Sequence, residues 1–282
     1  MPKTDALHLV PSAAAALPRI ADMTAPLSPE HPRSLLELPH GEARASLLAV
    51  HGVLGHALPP TPLAIYEAGG GSTSFLPLDV LRRADVTVVD IDAEQLRNND
   101  YAQTTILGDI QTHRFAPDSF DLVICYNVIE HLADVEAALE GFCMALKRGG
   151  LIVIGAPNPR SLSGVVTKYS PHWFHVLFYR HVRGDSNAGR PGHPPFPTQF
   201  HPLVTPSRLQ DFADAYGLDV IYHRDYESPR YPEIRIKKPW LGALLDASAA
   251  VLNRLVGGKT DVRHGDYHMI LRSMKHDRDT HR

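Results

Sequence analysis

Residues 63–73, LAIYEAGGGST, join a short apolar run to three consecutive glycines, with an acid, Glu67, just before them. Glycine has no Cβ, so a ligand can approach the backbone of such a loop closely, and the N–H groups of a following helix start can face that ligand. The stretch therefore predicts a first β-strand that ends in either a plain structural turn or a nucleotide-binding loop.

Short apolar runs continue after this stretch and alternate with helical patterns. Seven of these runs predict strands, at 63–69, 86–92, 104–109, 120–127, 151–158, 218–226 and 267–274. Strands that alternate with helices favour right-handed crossovers and a parallel sheet that is covered on both faces. We expect an α/β, Rossmann-like, doubly wound fold with a mostly parallel seven-stranded sheet and helices on both faces.

Three helix boundaries are marked by local signals. A helix that begins near residue 135 is expected to end at Gly149 and Gly150, because glycines stop helices. A second is expected to begin at Pro206, with Thr205 as its N-cap. A third, apolar around much of its circumference, is expected over residues 239–256.

The composition and the apolar periodicity of the sequence divide the chain into six segments. We expect a flexible N-terminal arm at 1–30, an N-terminal helical segment at 31–60, a cofactor-binding Rossmann-like core at 61–158, a helical lid insert on the substrate side at 159–205, the C-terminal half of the sheet with the late apolar helix at 206–274, and a tail at 275–282.

Bulk composition limits the function classes. The chain has 282 residues, 44% of them hydrophobic and 21% charged, which is typical of a globular protein. Its formal net charge of −3 argues against a general nucleic-acid binder, which usually carries a basic excess. Cys125 and Cys143 lie in apolar surroundings, so we expect buried thiols in a reducing compartment. With neither a secretory signal nor a membrane-length apolar run, the expected location is the cytoplasm and no stable membrane insertion is expected.

A second acid limits the classes of ligand that the glycine loop can bind. Asp90 ends the next predicted strand, where a carboxylate can accept hydrogen bonds from ribose hydroxyls. A dinucleotide site needs a third glycine three residues after Gly71, which is absent, and Glu67 would repel a pyrophosphate. A cationic nucleoside that carries an amino acid, such as S-adenosylmethionine, suits the loop better than NAD.

Here the sequence resembles the class I S-adenosylmethionine-dependent methyltransferases, of the small-molecule and ubiquinone-biosynthesis type. Four motifs occur in the family's order over about residues 60–158: EAGGG at Glu67–Gly71, VVDID around Asp90, ILGD ending at Asp109, and FDLVICYNVIEHL, which contains Asn127 and the Glu130–His131 pair. Thr73 stands where the family usually has its third glycine.

The resemblance implies S-adenosylmethionine as the cofactor and S-adenosylhomocysteine as its product. It implies Asp90 for the ribose, Asp109 for the adenine amine and Asn127 for the methionine part. The cofactor-binding residues that we predict are Glu67, Gly69, Gly70, Gly71, Asp90, Ile91, Asp109, Ile110 and Asn127.

Two histidines are the predicted catalytic residues. His131 follows the fourth strand, and imidazole titrates near neutral pH, so it suits a general base; the alternative is a structural role in its loop. His201 precedes the helix that Thr205 caps, where relatives place a histidine on the substrate side. Some relatives bind a divalent metal through Glu-x-x-Glu-His, but here Asn127 replaces the first Glu, so no metal is expected.

The insert and the late helix bear on partners. The run KYSPHWFHVLFYRHVRG is expected to form a lid in which Trp173, Phe174, Phe178 and Tyr179 line an apolar pocket and His172, His175 or Arg180 contact polar groups; it can equally be a helix packed on the core. The late helix is expected to be buried in the domain or in a homodimer interface. The alternative is a membrane-surface role, because Lys237, Lys238, Arg254 and Lys259 flank it.

The leading hypothesis is a methyltransferase that acts on an oxygen or nitrogen of a small molecule, such as a specialised metabolite or a lipid-like acceptor, and not on nucleic acid. Two alternatives remain open. One is an NAD-dependent oxidoreductase, and the other is a methyltransferase-like accessory protein that binds the cofactor without turnover.

Overall fold

A computed structural model describes residues 41–161, 201–255 and 261–274, with short stretches between 164 and 199. The described residues belong to one compact unit, Ser34–Arg282. The predicted arm at 1–30, the tail at 275–282 and the lid residues His172, Phe174, His175 and Phe178 lie outside the described residues.

Seven strands form a single sheet. They are β1 (Leu63–Ala68), β2 (Ala84–Asp90), β3 (Thr104–Leu107), β4 (Phe120–Tyr126), β5 (Leu146–Pro157), β6 (Leu218–Glu227) and β7 (His264–Ser273). Their order across the sheet is β3-β2-β1-β4-β5-β7-β6, and β7 alone runs antiparallel to the other six strands. The predicted α/β fold with a mostly parallel seven-stranded sheet is confirmed.

Seven α-helices are described: α1 (Gly41–Ala57), α2 (Leu78–Leu81), α3 (Ala93–Arg97), α4 (Val135–Ala145), α5 (Pro206–Ala215), α6 (Arg230–Lys237) and α7 (Pro239–Leu255). Successive side chains of a strand point to opposite faces of the sheet, so the central strands feed two cores. Leu122 and Ile124 pack with α1 and α2, whereas Val123 and Cys125 pack with α4 and α5. This burial on both faces explains why β4 is almost wholly apolar.

The strand order creates one crevice at the carboxyl edge. The chain leaves β1 towards β2 on one side, while β4 lies on the other side of β1. Ligands of doubly wound sheets bind at such a switch point, outside the carboxyl ends of the strands. The loops after β1, β2, β3 and β4 all meet at this edge.

Helix α4 ends earlier than the sequence predicts. It stops at Ala145, not at Gly149, and β5 already begins at Leu146, which pairs with Phe120 of β4. The register then shifts, and Gly149 takes a positive φ of 73° inside the strand. The two glycines therefore form an irregularity of β5 that pairing with β4 favours over another helical turn.

The start of α5 is confirmed at Pro206, with Thr205 in the N-cap position. The Thr205 hydroxyl does not cap the helix, because it donates to the carbonyl of Pro202 at 3.0 Å instead.

The late helix α7 spans Pro239–Leu255, close to the prediction, but the expectation that the domain buries it is wrong for its outer side. Gly242 and Ala249 are buried, while four large apolar side chains are exposed: Trp240, Leu244, Val251 and Leu255. Its role in a dimer stays a prediction. Across the described residues, no helix is both long enough and apolar enough to cross a membrane.

Candidate cofactor-binding site

The glycine loop after β1 is held close to β2 and to the loop after β4. Gly69 donates its backbone N–H to the carbonyl of Val89 at 2.8 Å and adopts a φ of 72°. A Cβ on Gly69 would lie 2.6 Å from a methyl carbon of Val128. Both the left-handed backbone and this contact require glycine at position 69.

Glu67 lies behind the loop and supports it. Its side chain is 2% exposed, and its two carboxylate oxygens accept hydrogen bonds from the hydroxyls of Ser74 and Tyr101, the latter at 2.6 Å. A Cβ on Gly70 would lie 2.9 Å from Oε2 of Glu67. Burial raises the pKa of the Glu67 carboxyl to about 7, although the two hydrogen bonds favour its ionised form.

Asp90 ties the end of β2 to the loop. Its Oδ2 accepts the backbone N–H of Gly71 at 3.0 Å, and its Oδ1 accepts that of Asp92 at 2.8 Å. Burial raises the pKa of Asp90, partly offset by these hydrogen bonds. Each carboxylate oxygen has a second acceptor site, so Asp90 can still receive a ligand hydroxyl.

Thr73, which replaces the usual third glycine, fits without strain. Among the described non-glycine residues only Asp118 and Asn127 have a positive φ, so Thr73 adopts an ordinary backbone conformation. Its side chain is exposed, and its N–H lies 3.4 Å from the carbonyl of Gly70. The loop therefore does not need glycine at this position.

The two isoleucines of the predicted site differ in exposure. Ile91, directly after Asp90, is 76% exposed, so it can cover an aromatic ring at the crevice. Ile110 is buried in the core beside Asp109. The Asp109 carboxylate accepts hydrogen bonds from the backbone N–H and the side-chain amide of Gln111. The assignment of these residues to the cofactor stays a prediction.

The loop after β4 carries Asn127 and the Glu130–His131 pair. Asn127 is exposed with a φ of 55°, and its N–H donates to the carbonyl of Gly155 at 2.7 Å. Glu130 is buried, and its Oε1 lies 3.7 Å from Nε2 of the half-buried His131. This turn therefore presents an amide and an imidazole at the same edge of the sheet as the glycine loop.

His201 belongs to a segment that approaches this turn. The backbone N–H of Gln199 donates to the carbonyl of Glu130 at 2.9 Å, which brings the chain before His201 against the loop after β4. Nδ1 of His201 accepts the N–H of Leu203 at 3.3 Å. No group of three or more His, Cys, Asp or Glu side chains that could hold a metal ion occurs in the part of the chain that the structure describes.

Several supporting residues were missed by the sequence reasoning. Asn99 donates to the carbonyl of Gly71 at 2.7 Å, Tyr101 binds Glu67, and the Ser72 hydroxyl donates to Gln95 at 2.8 Å. These contacts join the loop to α3 and to the segment after it, 23–34 residues away. The acids at the strand ends do not predict these residues. Which side chains reach the glycine loop depends on where the crossover between β2 and β3 lies in the folded protein.

A second missed group is a buried polar network that joins β4, β6 and β7 to α1. Nδ1 of His268 lies 2.7 Å from the Ser46 hydroxyl, and its Nε2 lies 3.1 Å from the Tyr226 hydroxyl and 3.4 Å from that of Tyr126. The Tyr126 ring packs over Gly155, where a Cβ would come within 2.3 Å. The network fixes the last residue of β4, directly before Asn127.

The donor set fits S-adenosylmethionine. No Lys, Arg or His occurs from Leu63 to Leu81, so the loop offers no side-chain cation to a pyrophosphate. It offers carboxylates, which accept hydrogen bonds from ribose hydroxyls and from amines, and an exposed apolar side chain for a ring. Glu67, Gly69, Gly71 and Asp90 would hold the nucleoside and the amino-acid part.

Comparisons with known proteins agree with this geometry. Residues 66–154 match the family model described as a methyltransferase domain. No curated protein sequence matches the chain. Two solved structures show the same fold, each with a TM-score of 0.50. A protein from Galdieria sulphuraria named as a sarcosine dimethylglycine methyltransferase is 14% identical, with 82% of this chain and 84% of that chain covered.

The second solved structure is a protein from Listeria monocytogenes named as an S-adenosylmethionine-dependent methyltransferase. It is 12% identical, with 81% of this chain and 99% of that chain covered. At these identities the two structures bear on the fold alone, and the family match carries the assignment of the core. Residues 66–154 are thus a methyltransferase domain, and S-adenosylmethionine is its cofactor.

Proposed function

We propose that the protein transfers the methyl group of S-adenosylmethionine to an oxygen or nitrogen of a small molecule in the cytoplasm. The observation that carries this proposal is the half-buried His131, next to the buried Glu130 and four residues after Asn127, at the edge where the glycine loop and Asp90 meet. An acceptor hydroxyl or amine needs a base when it attacks, and imidazole is the side chain suited to that role near neutral pH.

The reaction is an in-line displacement. The bound cofactor supplies a methyl carbon on a sulfonium, whose sulfur keeps the electron pair of the broken bond and leaves as the thioether of S-adenosylhomocysteine. On the protein side, His131 takes the proton that the acceptor oxygen or nitrogen loses as its bond to the methyl carbon forms. The Oε1 atom of Glu130 lies 3.7 Å from the Nε2 atom of this ring.

His201 has a different role in this proposal. Because Nδ1 accepts the N–H of Leu203, the proton of a neutral His201 ring is on Nε2. His201 therefore suits a donor that orients the acceptor, while His131 suits the base. Orientation alone can lower the barrier considerably, since the acceptor atom must line up with the methyl carbon and the sulfur.

A small acceptor is favoured over nucleic acid by the charge of the chain. It has 28 Lys and Arg against 31 Asp and Glu, and nucleic-acid enzymes usually carry a basic surface. The lid over the acceptor is proposed for residues 159–205, which the structure describes only in part. Cys125 and Cys143 are not joined by a disulfide in the structure.

Two measurements test the proposal with the full chain. Thermal unfolding should show stabilisation by S-adenosylhomocysteine and none by NAD, because a ligand of the native state raises its stability by mass action. Incubation with S-adenosylmethionine that carries a deuterated methyl group, and with panels of small alcohols, phenols and amines, should give a mass-labelled product and released S-adenosylhomocysteine.

Histidine variants then separate the enzyme from an accessory protein. His131→Gln should lower kcat by about a hundredfold or more if the imidazole is a base. The matched control is His56→Gln, on the exposed end of α1. Cofactor binding without labelled product from any acceptor would favour the accessory role, and full activity in both His131→Gln and His201→Gln would remove both histidines from the mechanism.

A further inference from the structure

The outer face of α7 is apolar along its whole length. Trp240, Leu244, Val251 and Leu255 follow the spacing i, i+4, i+11, i+15, so at 3.6 residues per turn they share an arc of about 60°. They are 71%, 57%, 55% and 77% exposed. The other exposed positions of α7 after Trp240 are Ala243, Ala247, Ser248, Ala250 and Arg254. We call this surface the α7 face.

Polar side chains fix which side of the helix faces outwards. Asp246 accepts a hydrogen bond of 2.9 Å from Arg235, which is also paired with both oxygens of Glu227 on β6 at 2.7 Å. Near the other end, Asn253 is bonded to Asp261 at 3.0 Å. These anchors turn the polar side of α7 inwards and hold the apolar side in a fixed outward orientation.

Before its last turn the α7 face carries no charged side chain. The hydroxyl of Ser248 donates to the carbonyl of Leu244 at 2.8 Å, within the helix itself. The first charged residue of the face is Arg254, in the last turn. Monomeric proteins seldom expose a continuous apolar patch of this kind unless it contacts another surface.

The charges around α7 indicate which kind of partner surface the α7 face contacts. Residues 227–259 contain six Lys and Arg and three Asp and Glu, in a chain that has an acidic excess overall. All three acids are paired, Glu233 with Lys237 at 2.8 Å, and Glu227 and Asp246 with Arg235. A second copy of the chain would bring like positive charges together across a twofold axis. An anionic lipid surface would attract the same charges.

We propose that the α7 face lies flat on an anionic membrane surface, with Trp240 and the aliphatic side chains at the boundary of headgroups and acyl chains and with Lys237, Lys238 and Arg254 near the phosphates. Helices that bind in this way have an apolar face with Trp and Leu and a set of basic residues beside it. Trp240 at the start of the helix suits the interface, since its ring is apolar and its N–H is polar. The contact is peripheral.

Vesicle binding tests the proposal with the full chain. The protein should co-sediment with vesicles of phosphatidylcholine mixed with phosphatidylglycerol and not with phosphatidylcholine alone, and added salt should release it. The chain has two tryptophans, so Trp173→Phe leaves Trp240 as the single reporter. Its emission should shift to shorter wavelength when the mixed vesicles are added.

Matched variants assign the binding to this face. Trp240→Gln combined with Leu244→Gln should weaken binding to the mixed vesicles by about tenfold or more, and Arg254→Glu should also weaken it, because the variant reverses a charge next to the lipid phosphates. Leu48→Gln is the control, because Leu48 is 49% exposed on α1 and the same change is made away from α7. Unchanged thermal unfolding with S-adenosylhomocysteine should verify that each variant is folded.

Three results would overturn the proposal. One is equal binding of the mixed vesicles by the wild type and the double variant. Another is a Trp240 emission wavelength that does not change when either kind of vesicle is added. The third is a dimer of the wild type that Trp240→Gln with Leu244→Gln dissociates, without any binding of vesicles, which would assign the α7 face to a second copy of the chain.

Discussion

The backbone N–H of Gly71 donates a hydrogen bond of 3.0 Å to Oδ2 of Asp90, so the loop after β1 and the end of β2 hold each other in place. The other oxygen of Asp90 accepts the N–H of Asp92, the residue that caps α3. One carboxylate therefore organises the loop, the strand end and the next helix before any ligand arrives. Such preorganisation lowers the cost of ordering the site when the cofactor binds.

Replacement of Asp90 tests this arrangement. Asp90→Asn keeps one acceptor oxygen but turns an amide group towards an N–H donor, so one of the two bonds is lost at a cost of about 1–3 kcal/mol. We expect binding of S-adenosylhomocysteine to weaken by about tenfold or more, as measured by titration calorimetry. Asp85→Asn, at the opposite end of β2 where the side chain is exposed, should leave the affinity unchanged.

The close contact of Gly69 with Val128 can be separated from its backbone conformation. Gly69→Ala should destabilise the fold through its φ of 72° and also through a Cβ only 2.6 Å from Val128. Gly149→Ala is the control, because Gly149 has a φ of 73° but an added Cβ would meet nothing within 4 Å. Chemical denaturation should show a loss of about 1–2 kcal/mol for Gly149→Ala, and about 1–3 kcal/mol more for Gly69→Ala.

A second substitution checks the cause. Val128→Ala in the Gly69→Ala background should restore part of the lost stability, because it removes the methyl groups that the new Cβ meets. If the double variant were as unstable as the sum of the two single variants, crowding at Val128 would not be the reason.

The fold was predictable because its central strands are buried on both faces. Apolar runs such as that of β4 can hardly be anything but inner strands of a covered sheet, and the acids Glu67 and Asp90 mark their carboxyl ends. The end of α4 was not predictable in the same way. Gly149 stops a helix as readily as it bends a strand, and the pairing of Leu146 with Phe120 decides between the two.

The residues that support the glycine loop and the exposure of α7 could be identified only from the structure. Asn99 and Tyr101 reach the glycine loop because α3 and the turn after α3 lie beside that loop. No local sequence pattern predicts this placement. Apolar composition likewise predicts that α7 is buried. Its outward orientation depends on the pairing of Arg235 with Asp246 and Glu227, three residues on separate elements.

The charge of Glu67 should control the preference for the sulfonium cofactor over its neutral product. Since burial raises the pKa of Glu67 to about 7, its carboxylate becomes ionised between about pH 6 and 8, and its attraction for a sulfonium grows over that range. In the wild type, the affinity ratio of S-adenosylmethionine to S-adenosylhomocysteine should rise by about threefold or more. In Glu67→Gln the ratio should stay level.

The pH dependence of the stability tests the raised pKa of Glu67 independently of ligand binding. The folded-state pKa of Glu67 lies above its ordinary value of 4.5, so the folded protein binds more protons and Glu67 costs stability as the pH rises from about 4.5 to about 7. Glu67→Gln should lack this loss, whereas Glu94→Gln, an exposed acid at the start of α3, should retain it. Parallel pH profiles of the wild type and Glu67→Gln would contradict the assignment.

His268 should make the fold sensitive to acid in the opposite sense. Burial lowers the pKa of His268 from 6.5 to about 3, so the ring stays neutral in the folded protein while the unfolded chain takes up a proton below pH 6.5. The stability that this neutral ring contributes is fully present above pH 6.5 and is lost as the pH falls towards 3. Each pH unit in that window costs about 1.4 kcal/mol.

The comparison with His268→Gln isolates this loss. The variant should be less stable than the wild type at pH 7, because Ser46, Tyr126 and Tyr226 lose their ring partner. Between pH 7 and pH 5 the difference should narrow by about 2 kcal/mol in denaturant titrations. His56→Gln, on the exposed end of α1, is the matched control for loss of a histidine. A constant difference for His268→Gln would mean that the fold does not lower the pKa of His268, and that burial does not keep its ring neutral.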